Sequence, residues 1–168
     1  MIRHVTEPIP PYSFGSGAIA AAAEGPLAVA RARLGVRRTA LFWLDAAAGR
    51  LSCVATVGVG GTEGWLGQTL AAGVGMAGRA VAEGRPVWTP DLGADPRVPI
   101  APWLRERLER EGLYAVAAAP VRMDGAIRGA LGFLDGPGRT FDDAALQQIG
   151  ALADEVAGHV GRAIHAAP

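Results

Sequence analysis

Along the chain the spacing of apolar residues switches between a helical period and a two-residue period, and the switches mark the elements. Residues 18–34 follow the helical pattern, interrupted by Gly25-Pro26. That pair predicts either a kink or a fresh helix opening at Pro26, closed by Gly35. Residues 39–45, rich in aromatic and apolar side chains, predict a strand. Residues 50–57 then alternate, with Leu51, Cys53, Ala55 and Val57 on one face and Arg50, Ser52 and Thr56 on the other. The alternation predicts a half-buried strand near a sheet edge. Residues 58–73 are glycine-rich and read as a long loop, with a short strand around residues 66–70. A short helix over residues 76–83, closed by Gly84, and a short strand over 86–89 follow. Residues 90–102 hold four prolines and two aspartates and read as loop. Residues 103–111 predict a charged helix stopped by Gly112.

The second half is more regular. Residues 113–121 and 126–135 are apolar on both faces, and Met123-Asp124-Gly125 lies between them. Asp-Gly is a strong hairpin signal, so both strands belong in the centre of an antiparallel sheet. Thr140 is placed to cap the last helix, with Asp142 and Asp143 in its first turn. Leu146, Ile149, Ala153, Val156, Val160 and Ala163 then form a heptad-like stripe. Small residues on the central strands (Ala115, Ala117, Ala118, Ala119, Gly129, Ala130, Gly132) leave room above the sheet for close helix packing or for a ligand. The whole describes an α+β domain around an antiparallel sheet.

Composition narrows the function classes. The 168 residues suit one domain: a proline-rich arm over residues 1–17 and a single domain over 18–168. Sixteen basic residues balance sixteen acidic ones, which argues against a nucleic-acid or polybasic membrane partner. All the basic side chains are arginine, and there is neither lysine nor asparagine. A lysine Schiff base and a P-loop are therefore excluded. The one cysteine, Cys53, rules out an internal disulfide and a zinc site of several thiolates. No metal or cofactor is expected. No apolar run reaches the length of a membrane span, and the short Ala-rich run over 18–23 makes a poor signal-peptide core. The expected location is cytoplasmic.

Gly73-Val-Gly-Met-Ala-Gly78 spells the dinucleotide fingerprint G-x-G-x-x-G. That fingerprint needs a buried strand before it and a parallel βαβ unit around it. The residues before it are broken by Gly61, Gly64 and Gly67, and the Asp-Gly hairpin speaks for an antiparallel sheet. The glycines instead suit close packing of a helix on a sheet. The surrounding series does resemble a known family. Gly75-Met-Ala-Gly-Arg-Ala-Val-Ala-Glu-Gly-Arg-Pro-Val, Asp91, Asp95-Pro-Arg97, Ala119-Pro-Val, Asp124-Gly and Ile127-Arg-Gly-Ala-Leu-Gly-Phe-Leu134 occur in the order seen in GAF domains. Phe141 before an amphipathic helix matches the family's ending, and residues 27–45 its opening helix and first strand. The resemblance covers residues 18–165. It implies a PAS-like central antiparallel sheet, with terminal helices on one face and loops plus short helices on the other, where family members bind small molecules. Cyclic-nucleotide members carry a motif with Asn and Lys, both absent here. Bilin-binding members carry Cys-His, whereas Cys53 precedes Val54. Members that reduce free methionine sulfoxide cycle several cysteines, and this chain has one.

Cys53 shares its apolar strand face with Leu51 and Ala55 and reads as a core thiol. His4 falls in the arm, and His159 and His165 on the last helix, away from any pocket. No catalytic residue is expected. The candidate ligand-binding residues are Asp91, Asp95, Arg97 and Trp103, in the segment that roofs the pocket in the resembled family. Tyr114 joins them at the start of a central strand, and Trp43 on the first strand, though Trp43 can equally face the helices. A carboxylate, a guanidinium and an indole together orient a polar ligand; alternatively Asp95 and Arg97 merely pair to stabilise the loop. Arg105–Glu109, Glu106–Arg110 and Arg107–Glu111 have i, i+4 spacing and read as a solvated face. The resulting expectation is a non-enzymatic sensor domain of a signalling protein, holding an unidentified small molecule between the sheet and residues 90–112. The alternative is a ligand-free dimerisation module. In either case the terminal helices are expected to form a homodimer.

Overall fold

The computed structural model describes residues 16–166. The arm expected over residues 1–17 lies outside them except for its last two residues, which already belong to the first helix. Six strands form one sheet: β1 (Arg38–Asp45), β2 (Arg50–Gly58), β3 (Thr69–Ala71), β4 (Val87–Thr89), β5 (Ala115–Met123) and β6 (Ala126–Asp135). Their order is β3-β2-β1-β6-β5-β4, and neighbouring strands are antiparallel. The helices are α1 (Ser16–Leu34), α2 (Gly75–Glu83), α3 (Pro102–Glu111) and α4 (Asp143–Ala166). The β5–β6 hairpin turns at Asp124 and Gly125, with φ of 53° and 77°. Positive φ at both central residues is the turn geometry whose twist matches that of the strands.

Each face of the sheet carries its own core. On one side α1 and α4 cover Leu41, Trp43, Ala117, Leu131 and Phe133. On the other, α2, α3 and the intervening loops cover Phe42, Leu51, Cys53, Ala118 and Ala130. Strand β2 contributes to both cores on account of a bulge. Leu41 pairs with Ala55 while Phe42 pairs with Cys53, so Val54 is the extra residue. The expected single face of β2 is thereby split: Leu51 and Cys53 point to the α2–α3 side, and Ala55 and Val57 to the α1–α4 side. Close helix packing takes up the room left by the small residues. Ala115, Ala117 and Ala119 lie under α4, and Ala118 and Ala130 face the buried α2 residues Met76, Ala77 and Ala80.

Two local expectations change. Helix α1 runs through Pro26 without a break. The ring of a proline normally clashes with the Cβ of the residue before it, and Gly25 has none. The apolar face Ile19, Ala23, Leu27, Ala30 and Leu34 stays buried along the whole helix. Asp142, not Thr140, caps α4, its Oδ1 accepting from the Ala145 amide at 2.8 Å. Gly150 and Gly161 on α4 face Pro86 and Met123 of this same chain, 3.6 and 3.3 Å from where a β-carbon would sit. Those small residues therefore serve internal packing.

In the Gly73–Gly78 motif the close backbone contact lies between α2 and the turn before it rather than between the helix and the sheet. Gly73 and Gly75 hold φ of 74° and 70°, and a β-carbon on Gly78 would press on the Gly73 backbone at 3.1 Å. Among the described residues, no helix is long and apolar enough to cross a membrane.

Candidate functional site

The α2–α3 side of the sheet is roofed by residues 59–114. Several anchors hold the roof down. The Gly75 amide donates to Pro99 O at 2.7 Å and the Leu92 amide to Tyr114 O at 2.9 Å. The indole of Trp103 donates to Thr69 O at 2.7 Å. Between roof and sheet, Leu92, Val98, Leu104, Leu108 and Leu113 pack with Trp65 and Met76. The space where a ligand was expected is thus filled by the roof's own apolar side chains.

Concave surface lies on the outer side of the same roof. A cleft of ≈ 200 Å³ opens between the 3₁₀ turn Leu92–Ala94 and α3, lined by Asp91, Arg105, Leu108, Glu109, Leu113 and Tyr114 among others. A shallower depression adjoins it over residues 93–100, again edged by Arg105. Tyr114 is 43% exposed, so its ring is available to a ligand. Asp91 caps the 3₁₀ turn through Oδ1, which accepts from the Ala94 amide at 3.2 Å. Arg105 donates to Gly93 O at 3.1 Å and ties α3 to that turn.

The six predicted residues are therefore not one cluster. Asp91 and Tyr114 share the cleft, and Asp95 borders the adjoining depression. Arg97 is engaged with Asp95, its Nη2 2.8 Å from Oδ2, and that ion pair holds the Asp95 carboxyl well below the usual carboxylate range. Trp103 packs edge-to-face on Trp65 at 5.8 Å. Trp43 lies on the opposite face of the sheet, in the core beneath α1 and α4. Of the three expected ion pairs on α3, Glu106–Arg110 forms at 2.9 Å. Arg105 turns to Gly93, and Glu111 turns inward.

The destination of Glu111 is a polar cluster that the sequence pattern did not reveal. Arg38, 1% exposed at the start of β1, donates from Nε to Glu111 Oε1 at 2.9 Å. Its Nη1 donates to Thr56 Oγ1 at 2.9 Å and its Nη2 to Val59 O at 3.0 Å. Trp65, fully buried, donates from Nε1 to Glu111 Oε2 at 2.6 Å and lies 4.7 Å from the guanidinium carbon, within cation–π range. Gly58 makes room for this, since a β-carbon there would sit 2.8 Å from Arg38 Cζ. The available signal was an arginine opening a strand whose middle, residues 40–44, is apolar, which calls for a buried counter-charge.

Cys53 is buried on the same side, with Sγ 3.8 Å from Ala55 O. Burial pushes its thiol up to about 12, against a smaller opposing pull from Arg38. A thiol so protonated is a poor nucleophile. Among the described residues, no group of three His, Cys, Asp or Glu side chains is arranged to hold a metal ion.

The GAF domain family model matches residues 20–160. The chain matches no curated protein. Among solved structures, it is similar to the GAF domain of a phosphoenolpyruvate-protein phosphotransferase from Coxiella burnetii, with 19% identity, TM-score 0.72, and coverage of 91% of this chain and 90% of that one. It is similar to free methionine-R-sulfoxide reductase from Neisseria meningitidis at 19% identity, TM-score 0.70, covering 90% and 83%. The second GAF domain of DevS from Mycobacterium smegmatis gives 20% identity, TM-score 0.67, covering 88% and 96%. At these identities the likeness speaks for the fold.

Proposed function

The chain belongs to the GAF domain family, and from that premise we propose that it is a non-enzymatic sensor domain of a cytoplasmic signalling protein. The small molecule it senses is held on the outer side of the roof, in the cleft framed by Asp91, Arg105 and Tyr114. The observation that carries this reading is the position of that cleft. Its rim residue Tyr114 leads directly into β5, and β5 runs under α4. A ligand that pulls the 3₁₀ turn and α3 together bears on Tyr114, and β5 relays the shift to α4. This is a population shift between two packings of helix on sheet. Asp91 and Glu109 supply acceptors, Arg105 supplies donors, and Leu108, Leu113 and the Tyr114 ring supply apolar contact. Arg97, clamped by Asp95, keeps 63% of its side chain exposed and offers a second guanidinium for an anionic group beside the cleft. The non-enzymatic reading is supported by the buried, protonated state of the only thiol. One of the structurally similar proteins is a reductase, so assay of free methionine sulfoxide belongs with the test.

Native mass spectrometry of protein purified without added ligand, followed by titration of any released compound, tests this function. Tyr114→Phe, Asp91→Asn and Arg105→Gln should each weaken its binding, and Trp43→Phe should leave it unchanged. Unaltered affinity in all three cleft variants, or turnover of methionine sulfoxide, would overturn the reading.

A second reading is favoured by a separate observation. A groove of ≈ 250 Å³ runs between α1 and α4, lined by Pro26, Val29, Arg33, Leu152, Glu155, Val156 and His159. Val29 is 47% exposed there. This surface suits the homodimer through terminal helices, with or without a ligand.

A further inference from the structure

We propose that the outer cleft takes the ammonium group of a small organic amine, seated between Asp91 and Glu109 with its apolar body against the Tyr114 ring. The proposal rests on the sensor-site reading of that cleft and adds the chemical class of its ligand. Three observations carry it.

The first is a carboxylate that its own helix leaves unpaired. Arg105 and Glu109 have the i, i+4 spacing that favours an ion pair on a helix. Arg105 instead reaches over to the 3₁₀ turn, where its Nη1 donates to Gly93 O at 3.1 Å. The other α3 carboxylates are occupied: Glu106 pairs with Arg110 at 2.9 Å and Glu111 with Arg38 at 2.9 Å. Among the described residues, no cation lies within ion-pair distance of Glu109. The second is the facing wall. Asp91 uses Oδ1 to accept from the Ala94 amide at 3.2 Å, and its Oδ2 makes no hydrogen bond among the described residues. The cleft is thus lined by two carboxylates and one guanidinium, and that guanidinium is already tied to the backbone. Arg97, beside the cleft, is balanced by Asp95 at 2.8 Å and leaves the negative excess as it is.

The third is the apolar part of the lining. Leu108 and Leu113 border the cleft together with Tyr114, which is 43% exposed. A cation over an aromatic ring is attracted by the negative face of the ring, and an alkyl or aryl body gains by leaving water for the leucines. A bare metal ion needs oxygen ligands around it, and among the described residues no group of three His, Cys, Asp or Glu is arranged to hold one. At ≈ 200 Å³ the cleft suits a small amine rather than a peptide or a nucleotide. An ammonium bridging Asp91 and Glu109 draws the 3₁₀ turn towards α3, which is the movement the sensor reading requires.

The test uses the whole chain with meta-fluorotyrosine in place of its two tyrosines, Tyr12 and Tyr114. The fluorine NMR resonance of Tyr114 is identified by its loss in Tyr114→Phe. Three probes share one body and differ in charge: phenethylamine, phenethyl alcohol and phenylacetate. Phenethylamine should shift the Tyr114 resonance saturably and bind about threefold or more tightly than the alcohol, with phenylacetate the weakest. Asp91→Asn removes the charge and keeps the acceptor for the Ala94 amide. That variant and Glu109→Gln should each weaken the amine about threefold, and the double variant about tenfold, while the alcohol binds all of them as it binds wild type. Asp154→Asn, which removes an exposed carboxylate on α4, should leave every affinity unchanged. Equal binding of amine and alcohol in wild type, or amine binding that survives the double variant, overturns the ammonium class and leaves the cleft standing as the sensor site. If none of the three probes moves the Tyr114 resonance, the ammonium proposal is overturned too, and native mass spectrometry decides the site separately.

Discussion

Asp95 holds Arg97 at three points: its Oδ1 accepts from the Arg97 amide at 2.9 Å and from Nε at 3.0 Å, and its Oδ2 accepts from Nη2 at 2.8 Å. The same Oδ2 accepts from the Thr89 hydroxyl of β4 at 2.8 Å. The carboxylate thus staples the roof turn to the sheet edge. Because the folded protein lowers the pKa of Asp95, its contribution is complete above the unfolded value of about 3.9. It is lost as the pH falls through the still lower native value. Asp95→Asn should cost about 1–3 kcal/mol, toward the low end because the exposed Arg97 is screened by solvent. Thermal melts from neutral to acid pH check this: below pH ~4 wild type should lose its advantage over the variant. An unchanged gap down to the lowest pH would exclude the linkage.

Cys53 behaves in the opposite sense. Its thiol is raised to about 12, so the folded protein stays protonated where the unfolded chain ionises. Stability from this group is full below the unfolded thiol pKa. Above it, wild type should lose about 1.4 kcal/mol per pH unit, until the native pKa is reached. Cys53→Ala should lower stability modestly at neutral pH and show a flatter alkaline decline. Cys53→Ser should be the less stable of the two, since it buries a hydroxyl. Denaturant unfolding across alkaline pH distinguishes them, and rapid labelling of the native thiol would contradict the burial.

Two glycines of β6 should respond differently to the same change. A β-carbon on Gly129 would overlap the carbonyl oxygen of Phe42 on β1, whereas on Gly132 it would meet Ala40 O at 3.7 Å, an ordinary contact. Gly129→Ala should therefore cost more than about 3 kcal/mol, because two paired backbones must separate. Gly132→Ala should be neutral, or more stable by up to about 1 kcal/mol from reduced unfolded-chain freedom. Urea unfolding of the pair measures the contrast, and similar losses in both would refute the steric account.

The helix-face dimer predicts a concentration-dependent mass in analytical ultracentrifugation. Val29→Glu places a charge in the α1–α4 groove and should shift the distribution to monomer while leaving the melting temperature nearly unchanged. A wild-type mass that stays monomeric at every concentration would remove this interface from consideration.

Much of the architecture was legible because its causes are local. The Asp124-Gly125 turn follows from two residues that tolerate positive φ. The helix stops at Gly84 and Gly112 follow from the same property, with φ of 67° and 65°. The ordered series of short motifs carried the family. The α4 cap was misread by two residues because Thr140 and Asp142 are both competent caps, and only the chain's path selects Asp142.

The sequence alone determined which segments are strands and helices and that the sheet is antiparallel, since periodicity and turn chemistry act over a few residues. Only the tertiary structure decided which face each side chain takes. The unpaired Val54 splits one apparent apolar stripe of β2 between two cores, and the β1 register puts Trp43 under the terminal helices. The Arg38–Glu111–Trp65 cluster joins residues 73 and 46 positions apart. A contact of that span depends on strand pairing and on how the roof closes over the sheet, and no local pattern records either. The filled space beneath the roof has the same origin: alanine and glycine on β5 and β6 indicated room above the sheet, and helix packing from elsewhere in the chain determined that α2 occupies it.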